Sequence, residues 1–422
     1  MSETKLAYRK IALETLGCKL NQAETESLAR QLSNEGYEIV DSPDDADIYI
    51  LNTCTVTHVA DRKARQRLRR TVSVNPRALV IAIGCYAQRS PKELRKAGAQ
   101  IVLGITEKDQ LPELLAERAS HNGRGTHSFN WHRTRAFVKI QQGCNNSCSY
   151  CIVPFVRGAE SSIPANQVID EINARVNEGY KEVVLTGTRI GGYAANEAAT
   201  LHELIGRVLT ETSVERLRIS SLQPQEMSPE LLELWRNDHL CKHLHIPLQC
   251  GSDTVLQRMG RGYSTTDFEE SVLLAKQMIV GLSITTDIMV GFPGETDDEF
   301  EESYRFCERM GFAHIHVFPY SKREGTRSAG ISSDLNERVK KKRVQRMLML
   351  SGSINDCFRS SFIGQTLPVL WEHEDEGTWS GFTSNYVRVF ARSDEGLTNT
   401  LARVKLTKVC NGGLMGVFGE SC

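Results

Sequence analysis

Residues 137–151 read FVKIQQGCNNSCSYC, an apolar run followed closely by three cysteines with the spacing C-x3-C-x2-C. The run FVKI is typical of a β-strand, so the cysteines lie on the loop after it. Three thiolates on one tight loop can bind three corners of a cubane iron–sulfur cluster, and the missing fourth ligand leaves one iron open to a small molecule. The pattern predicts such a cluster on Cys144, Cys148 and Cys151.

A zinc site and a chance grouping of thiols are the alternatives for this loop. A structural zinc site normally has four protein ligands, and no fourth cysteine or histidine lies at zinc-finger spacing here. Three chance thiols are disfavoured, because a group of thiols on a loop is easily oxidised. The cluster is therefore the favoured interpretation.

Short apolar strands alternate with helical patterns beyond this loop. Six strand–helix units follow one another between residues 136 and 361, which is fewer than the eight of a closed (β/α) barrel. The expected strands cover residues 137–140, 181–186, 216–220, 243–246, 284–290 and 314–318, and a long basic helix follows at 335–357. We therefore expect an α/β protein whose second domain, residues 136–361, is a partial (β/α)6 barrel of the TIM type.

The segments on either side of this barrel have different patterns. In residues 1–120 the alternation of apolar strands with helices predicts a parallel, Rossmann-like sheet covered on both faces. Residues 121–135 lack periodicity and are rich in Gly, Asn, His and Arg, which favours a linker. Residues 362–422 contain five short runs with period two, as in a small antiparallel β-barrel of the oligonucleotide-binding kind.

Three further cysteines lie singly in the first domain. Cys18, Cys54 and Cys85 each follow the end of an expected strand. Because the carboxyl ends of parallel strands meet at one crevice, we expect these thiols to come together although they are far apart in the sequence. They are candidates for a second site with three thiolate ligands. Three unrelated buried cysteines are the alternative.

The sequences around all six cysteines resemble a known family. The C-x3-C-x-aromatic-C loop is similar to that of the radical S-adenosylmethionine superfamily, and residues 16–24 (LGCKLNQAE), 52–57 (NTCTVT) and 84–88 (GCYAQ) resemble the amino-terminal domain of the methylthiotransferases. The similarity continues through residues 151–158 (CIVPFVRG), 245–249 (HIPLQ), 287–296 (DIMVGFPGET) and 317–326 (VFPYSKREGT). It ends in a tail that looks like the family's TRAM domain.

This resemblance implies the cofactors and the reaction. The family uses two [4Fe-4S] clusters, one on each cysteine trio, together with S-adenosylmethionine. The open iron at Cys144, Cys148 and Cys151 would bind S-adenosylmethionine and produce a 5′-deoxyadenosyl radical, with Tyr150 against the adenine. The radical would remove a hydrogen from the substrate, and the second cluster would deliver sulfur. A second S-adenosylmethionine would supply the methyl group, and no catalytic side chain beyond the cluster ligands is implied.

The resemblance also indicates a branch of the family. Residues 17–22 (GCKLNQ), with Lys19 and Gln22, look most like the branch that methylthiolates C2 of N6-threonylcarbamoyladenosine at position 37 of tRNA. Alternatives are the same reaction on isopentenyladenosine or on a ribosomal protein aspartate. A radical enzyme with a single cluster and a non-catalytic RNA-binding metalloprotein are further alternatives.

The sequence departs from the family pattern at two places. Cys250 stands where the family usually has serine, which suggests a reactive thiol near the cofactor pocket. Residues 159–162 (AESS) replace the further arginines that usually follow Arg157 and Gly158, so the substrate contact that the family has there is not carried over.

Residues at the expected barrel rim are candidates for cofactor binding. Gly187 and Gly291 follow strands where the backbone must approach a nucleoside closely, which favours glycine, and Gln249 lies on a similar loop. Glycines required only by turns are the alternative. His243 and His245 flank an expected buried strand, and we interpret them as core or rim residues rather than ligands.

The charge of the chain bears on its partners. With 51 Lys+Arg and 52 Asp+Glu, bulk charge gives no argument for nucleic-acid binding. Two basic runs, residues 62–70 and 338–346, nevertheless predict a phosphate-binding surface. The tail aromatics could stack on bases, although half of them should be core: Trp371, Trp379, Phe382, Tyr386 and Phe390.

The expected partners and location follow from these observations and from the resemblance. We expect the tRNA anticodon loop as substrate, an electron donor such as flavodoxin or ferredoxin, and a monomer or weak dimer. The chain has no apolar signal region and no apolar run near about 18 residues, which predicts a cytoplasmic protein without membrane association.

Overall fold

The computed structural model describes residues 10–118, 134–195, 199–332 and 335–419. These residues form three units in chain order: a parallel α/β sheet, a partial barrel and a small closed barrel. The expected linker at 121–135 lies outside the described residues except for its last two positions.

The first unit is a five-stranded parallel sheet with helices on both faces. Its elements are β1 (Lys10–Thr15), α1 (Lys19–Asn34), β2 (Glu38–Val40), β3 (Ile48–Thr53), α2 (His58–Val74), β4 (Leu79–Gly84), α3 (Cys85–Arg89), α4 (Pro91–Lys96), β5 (Ile101–Leu103) and α5 (Leu111–Arg118). Strands β3 and β4 are buried at every position, because both faces of the sheet are covered. The strand order is β2-β1-β3-β4-β5, so the direction of the winding reverses between β1 and β3. Ligands bind at the carboxyl ends of the strands beside such a reversal.

The second unit is a curved sheet of six parallel strands, which confirms the partial barrel. Its elements are β6 (Arg135–Lys139), β7 (Gln141–Gln142), α6 (Val153–Arg157), β8 (Ser161–Ser162), α7 (Ala165–Asn177), β9 (Glu182–Thr186), β10 (Ala194–Ala195), β11 (Ala199–Thr200), α8 (Leu201–Glu211), β12 (Arg216–Ile219), α9 (Pro229–Glu233), β13 (His243–His245), α10 (Asp253–Met259), α11 (Thr265–Met278), β14 (Ser283–Val290), α12 (Asp297–Arg309), β15 (His314–Pro319) and α13 (Glu337–Ser360). Strands β6, β9 and β12 form one half and β13, β14 and β15 the other. Two parallel bridges, Leu217–Leu240 and Ser221–His245, join the halves.

The third unit is a closed five-stranded barrel. Its elements are β16 (Thr366–Asp375), β17 (Thr378–Thr383), β18 (Arg388–Arg392), β19 (Leu401–Cys410) and β20 (Gly413–Phe418). The strand order is β16-β17-β18-β20-β19, and all pairs are antiparallel except β18 with β20, which run parallel. Trp371 and Trp379 are buried in its core, so they do not face bases.

A buried charge network joins the third unit to the second. The Arg218 guanidinium donates to Glu182 Oε1 at 2.7 Å and to the carbonyl oxygen of Ser384 at 3.1 Å, and it lies 4.3 Å from the centre of the Tyr386 ring. Burial alone would raise the pKa of Glu182, but Arg218 and Arg216 outweigh burial and lower it to about 2. The third unit is thus held against the barrel by a buried arginine whose charge is balanced by the barrel's own Glu182.

Within the described part of the chain, no helix is both long enough and apolar enough to cross a membrane.

Candidate metal centres and substrate cavity

The first cysteine trio lies at the carboxyl ends of three strands of the first unit. Cys18 precedes α1, Cys54 follows β3, and Cys85 follows β4 as the first residue of α3. Cys54 and Cys85 are buried, whereas Cys18 is exposed. Burial raises the pKa of the Cys54 thiol to about 12, and the neighbouring thiols of Cys18 and Cys85 add to this effect. The fold therefore brings three thiols from distant parts of the sequence within electrostatic range of one another.

Asn21 fixes the loops that carry Cys18 and Cys54. Its side-chain amide donates to the carbonyl oxygens of Leu16 at 3.0 Å and Thr53 at 3.2 Å, and so ties the end of β1 to the end of β3. Gly17 has φ of 129°, and a Cβ atom there would lie 2.7 Å from the Cys54 Cβ atom. Only glycine allows this close approach. The sequence around Cys18 is thus explained by the crowding of the two loops.

The second cysteine trio lies on the loop between β7 and α6. The Cys144 amide donates to the carbonyl oxygen of Gly158 at 3.1 Å, which closes the loop at its base. The Ser149 amide donates to the carbonyl oxygen of Met259 at 2.8 Å, and the Arg261 guanidinium lies 3.4 Å from Cys148 Sγ. Burial raises the pKa of Cys151 to about 11, and the charges of Cys148 and Cys144 raise it further. These three thiols therefore also form one group.

The two trios are connected by a direct packing contact between α3 and α6. Cys85 belongs to one small buried cluster with Ile152 and Val156, which follow Cys151. On the same helix, Arg157 donates to Asn21 Oδ1 at 2.6 Å and to both carboxylate oxygens of Glu24, at 3.0 and 3.2 Å. The end of the second cysteine loop is thus bonded to the side chain that fixes the first.

The donor sets fit iron–sulfur clusters. Each trio offers three thiols, and an arginine accompanies each: the buried Arg157 near Cys85 and the half-buried Arg261 near Cys148. Burial raises the pKa of Cys85, whereas the Arg157 charge lowers it and so favours the thiolate. Among the described residues, no three His, Cys, Asp or Glu side chains converge as ligands of one metal ion do. A cubane requires no such convergence, since each thiolate binds a different iron.

A cavity of about 690 Å³ lies where the three units meet. The first unit contributes Cys18 and Lys19, and the barrel lines most of the rest. Among the six candidate ligands, only Cys18 reaches its wall. The polar and aromatic side chains that the barrel and the tail contribute include His243, His245, Asp287, His314, His316, Phe382 and Tyr386. The cavity is large enough for a nucleoside.

Burial lowers the pKa of three histidines of this cavity, His243, His314 and His316, and so favours their neutral form. Burial and the Arg218 charge lower the pKa of His243 well below its ordinary value, and its ring stacks on Tyr386 at 4.9 Å. Burial likewise lowers the pKa of His314 to about 4. His245 Nε2 lies 3.4 Å from Asp287 Oδ2, and its Nδ1 lies 2.9 Å from Thr285 Oγ1. The wall therefore offers neutral hydrogen-bonding groups set among apolar and aromatic side chains.

The four residues predicted to bind the cofactor lie around the barrel rim. Gly187 lines the cavity, and a Cβ atom there would lie 2.8 Å from the carbonyl oxygen of Gln141. Gln249 has φ of 73°, which is uncommon for a residue other than glycine. Gly291 also has a positive φ, 79°, and Tyr150 is half-buried against the barrel core. Their contact with a cofactor stays a prediction.

The expectation of a reactive thiol at Cys250 is wrong. Cys250 is fully buried in the barrel core, and burial raises its pKa to about 12. A protonated and inaccessible thiol is inert. At the other departure from the family pattern, Glu160 accepts from the Asn145 amide at 3.1 Å and from Arg189 at 3.2 Å. Glu160 thus supports the cysteine loop.

Sequence reasoning missed several residues that hold this site together. Arg157 lies six positions after Cys151 and Asn21 lies three after Cys18, but neither position shows by itself what the side chain bonds. Arg261 lies 113 positions from Cys148, so no local pattern could have revealed their contact. Gln141 was also missed: its side-chain oxygen accepts from the amides of Thr188 and Arg189 at 3.0 and 2.9 Å.

Comparison with known proteins agrees with this geometry. Two family models match: Uncharacterized protein family UPF0004 over residues 10–104 and the Radical SAM superfamily over residues 138–307. The chain is 39% identical to the threonylcarbamoyladenosine tRNA methylthiotransferase MtaB of Bacillus subtilis, and the match covers 94% of each chain. It is 33% identical to the tRNA-2-methylthio-N(6)-dimethylallyladenosine synthase of Moorella thermoacetica, over 95% of this chain and 96% of that protein.

Solved structures show the same fold at low identity. A radical S-adenosylmethionine methyltransferase, TsrM from Kitasatospora setae, aligns with a TM-score of 0.57 at 14% identity, over 76% of this chain and 77% of its own. This likeness concerns the fold alone. The identity to the curated relatives over nearly the whole length is decisive, and the chain belongs to the radical SAM tRNA methylthiotransferase family.

Proposed function

We propose that this protein methylthiolates C2 of N6-threonylcarbamoyladenosine at position 37 of tRNA. The observation that carries the proposal is the cavity of about 690 Å³ where the three units meet, with Cys18 and several hydrogen-bonding side chains in its wall. The 39% identity to an MtaB protein supports this reaction, since that protein is named for threonylcarbamoyladenosine in tRNA.

Two [4Fe-4S] clusters and S-adenosylmethionine are the cofactors of this family. We assign one cluster to Cys144, Cys148 and Cys151, and the other is assigned to the first trio. When bound together with S-adenosylmethionine, these clusters would supply radical hydrogen removal and sulfur transfer. The protein's own contribution is positional: Arg261 and Arg157 place a positive charge beside each group of thiolates.

The cavity favours a polar substituent on the substrate base. An isopentenyl group would leave Lys19 and the buried Nδ1 atom of His243 without a hydrogen-bond partner, and buried polar groups left unpaired are costly. The threonylcarbamoyl group carries a carboxylate, a hydroxyl and a urea that can bond them. The hydrogen-bonding groups of the wall disfavour isopentenyladenosine as the substrate. The names of the curated relatives, which act on tRNA, disfavour a ribosomal protein aspartate.

An exposed basic face of the first unit is our candidate for binding the tRNA backbone. In the run on α2, Arg62, Lys63, Arg69 and Arg70 are exposed. The run on α13 is partly structural, because Arg343 is buried and donates to Glu295 at 2.6 Å and to Asp297 at 2.7 Å. We therefore assign phosphate binding to α2 first. An electron donor such as flavodoxin or ferredoxin, a cytoplasmic location and a monomer or weak dimer complete the proposal.

Iron and sulfide counts after anaerobic purification test the cluster assignment. Replacement of Cys18, Cys54 and Cys85 by alanine should halve both counts, as should replacement of the other trio. As a control, alanine at Cys357 and Cys410, which belong to neither trio, should leave both counts unchanged. Zinc without sulfide would favour a non-catalytic RNA-binding protein. Unchanged iron in the first variant would favour a single-cluster enzyme.

Mass spectrometry of tRNA nucleosides tests the substrate. A strain that lacks this gene should accumulate N6-threonylcarbamoyladenosine without its 2-methylthio form, and the wild-type gene should restore the modified nucleoside. Loss of 2-methylthio-isopentenyladenosine instead would overturn the proposed substrate and keep the reaction.

A further inference from the structure

We infer that Lys19 binds the carboxylate of the threonylcarbamoyl group and so determines the choice of substrate. This inference rests on the proposed function and adds a residue to it. Lys19 is the first residue of α1, directly after Cys18, and it lines the cavity. A group bound to Lys19 would lie beside Cys18, one of the three thiols assigned to the second cluster.

The Lys19 ammonium is available for a ligand. Within the described part of the chain it makes neither a hydrogen bond nor an ion pair. The two acids whose charges act on it are already engaged: Asp287 lies 3.4 Å from His245, and Glu182 is paired with Arg218. The Lys19 ammonium faces the cavity and is paired with no carboxylate among the described residues, so it suits an anionic ligand.

The start of α1 adds to this positive potential. Its N-cap residue, Cys18, provides no side-chain hydrogen bond to the helix. The first amides of an α-helix have no partner within the helix, and the helix dipole favours negative charge at this end. Helix α1 has 16 residues and begins at the cavity wall. The amide end of α1 and Lys19 together form a subsite for a carboxylate.

The rest of the wall suits the neutral part of the same group. His243 and His314 are neutral hydrogen-bonding residues, and Ser220, Ser283 and Thr285 contribute hydroxyls. A urea and a hydroxyl can bond these groups, whereas a prenyl chain cannot. A site built to bond polar groups rejects an analogue that lacks them.

Binding to synthetic anticodon stem-loops tests the inference. The loops carry adenosine, N6-threonylcarbamoyladenosine, its methyl ester or isopentenyladenosine at the target position, and affinity is measured anaerobically with the cluster-loaded protein. We expect the wild type to bind the acid at least tenfold more tightly than the methyl ester. Lys19→Gln should lose this preference and change its affinity for the adenosine loop less than twofold, with unchanged iron content.

Two controls separate charge at this site from charge in general. Lys92→Gln removes an exposed lysine on α4 outside the cavity and should keep the tenfold preference. Lys19→Arg should retain part of it. Equal affinity of the wild type for acid and ester would overturn the inference, as would a Lys19→Gln protein that still prefers the acid.

The proposed function can fail separately. In one outcome, the wild type prefers the acid and Lys19→Gln loses that preference, while no methylthio product forms on the stem-loop with N6-threonylcarbamoyladenosine. This result would support the carboxylate subsite and overturn the proposed reaction. If product forms and the preference survives Lys19→Gln, the reaction stands and the subsite falls.

Discussion

Replacement of Glu24 by glutamine should loosen the joint between the first unit and the barrel. The Glu24 side chain is 6% exposed and faces three cations. Two of them, Arg157 and Lys139 at 3.0 and 3.6 Å, belong to the barrel, and Lys108 at 2.5 Å belongs to the first unit. Glutamine keeps the shape of the side chain and removes its charge, so three positive groups would remain together without their anion.

The pKa of the Glu24 carboxyl group gives the size of the expected loss of stability. Burial would raise the pKa of Glu24, but Arg157 and Lys108 lower it from 4.5 to about 2. Each pKa unit corresponds to about 1.4 kcal/mol, so the folded state favours the carboxylate by about 3 kcal/mol. Breaking a buried ion pair typically costs about 3–5 kcal/mol, which agrees. We therefore expect Glu24→Gln to lower the free energy of unfolding by about 3 kcal/mol.

The sign of the pH dependence is fixed by the same shift. A carboxyl group whose pKa is lowered by folding stabilises the protein above its unfolded pKa of about 4.5, and this contribution is lost as the pH falls toward 2. Glutamine has no proton to bind. The stability difference between wild type and variant should therefore be constant above about pH 5 and should shrink below it.

Anaerobic urea unfolding followed by circular dichroism measures this difference. Arg207→Gln is the control, because Arg207 pairs with Glu211 on the exposed face of one helix, where an ion pair adds little. A loss below about 1 kcal/mol for Glu24→Gln, or a loss no larger than in the control, would refute the reasoning. A difference that persists unchanged at acidic pH would show that another group is responsible.

Three further outcomes are expected. Arg69→Gln with Arg70→Gln should weaken tRNA binding equally for all stem-loops, and reduce the slope of log affinity against log salt by about 1.5. Glu182→Gln should leave buried cations without their anion and destabilise the protein by about 3–5 kcal/mol, with faster proteolytic release of the third unit as the readout. Iodoacetamide should label exposed Cys357 and spare buried Cys250 in the native protein, as mass spectrometry of the digest would show.

Local sequence predicts the elements that have strong internal patterns. Strand β4 is apolar throughout and β3 is apolar over its first four positions, which is the pattern that predicts a buried parallel strand. Strand β2 has only three residues, Glu38–Val40, which are too few to show a period in the sequence. The basic run at 338–346 predicts a phosphate-binding surface, but Arg343 within it is buried in an ion pair, which a count of charges does not show.

Contacts between distant segments could not be predicted from the sequence. The sequence predicts one cysteine trio from its C-x3-C-x2-C spacing and the other from positions at the ends of strands. It does not predict the arginine that lies beside each trio. Arg261 reaches Cys148 only because the end of α10 packs against the cysteine loop, where the Ser149 amide bonds Met259. In the sequence Lys19 indicates one branch of the family, whereas its position in a cavity wall depends on the docking of all three units.

A short series of hydrogen bonds connects the two cysteine trios and holds the first unit at a fixed position on the barrel. Arg157 lies six positions after Cys151, and its guanidinium bonds Asn21, which in turn holds the loops of Cys18 and Cys54. On the proposed assignment of the two trios, a sulfur donor and a radical source act on one base, so the distance between them must not vary. A flexible connection could not fix that distance. A chain of buried hydrogen bonds from α6 to α1 can, and it couples the two sites through a single side chain.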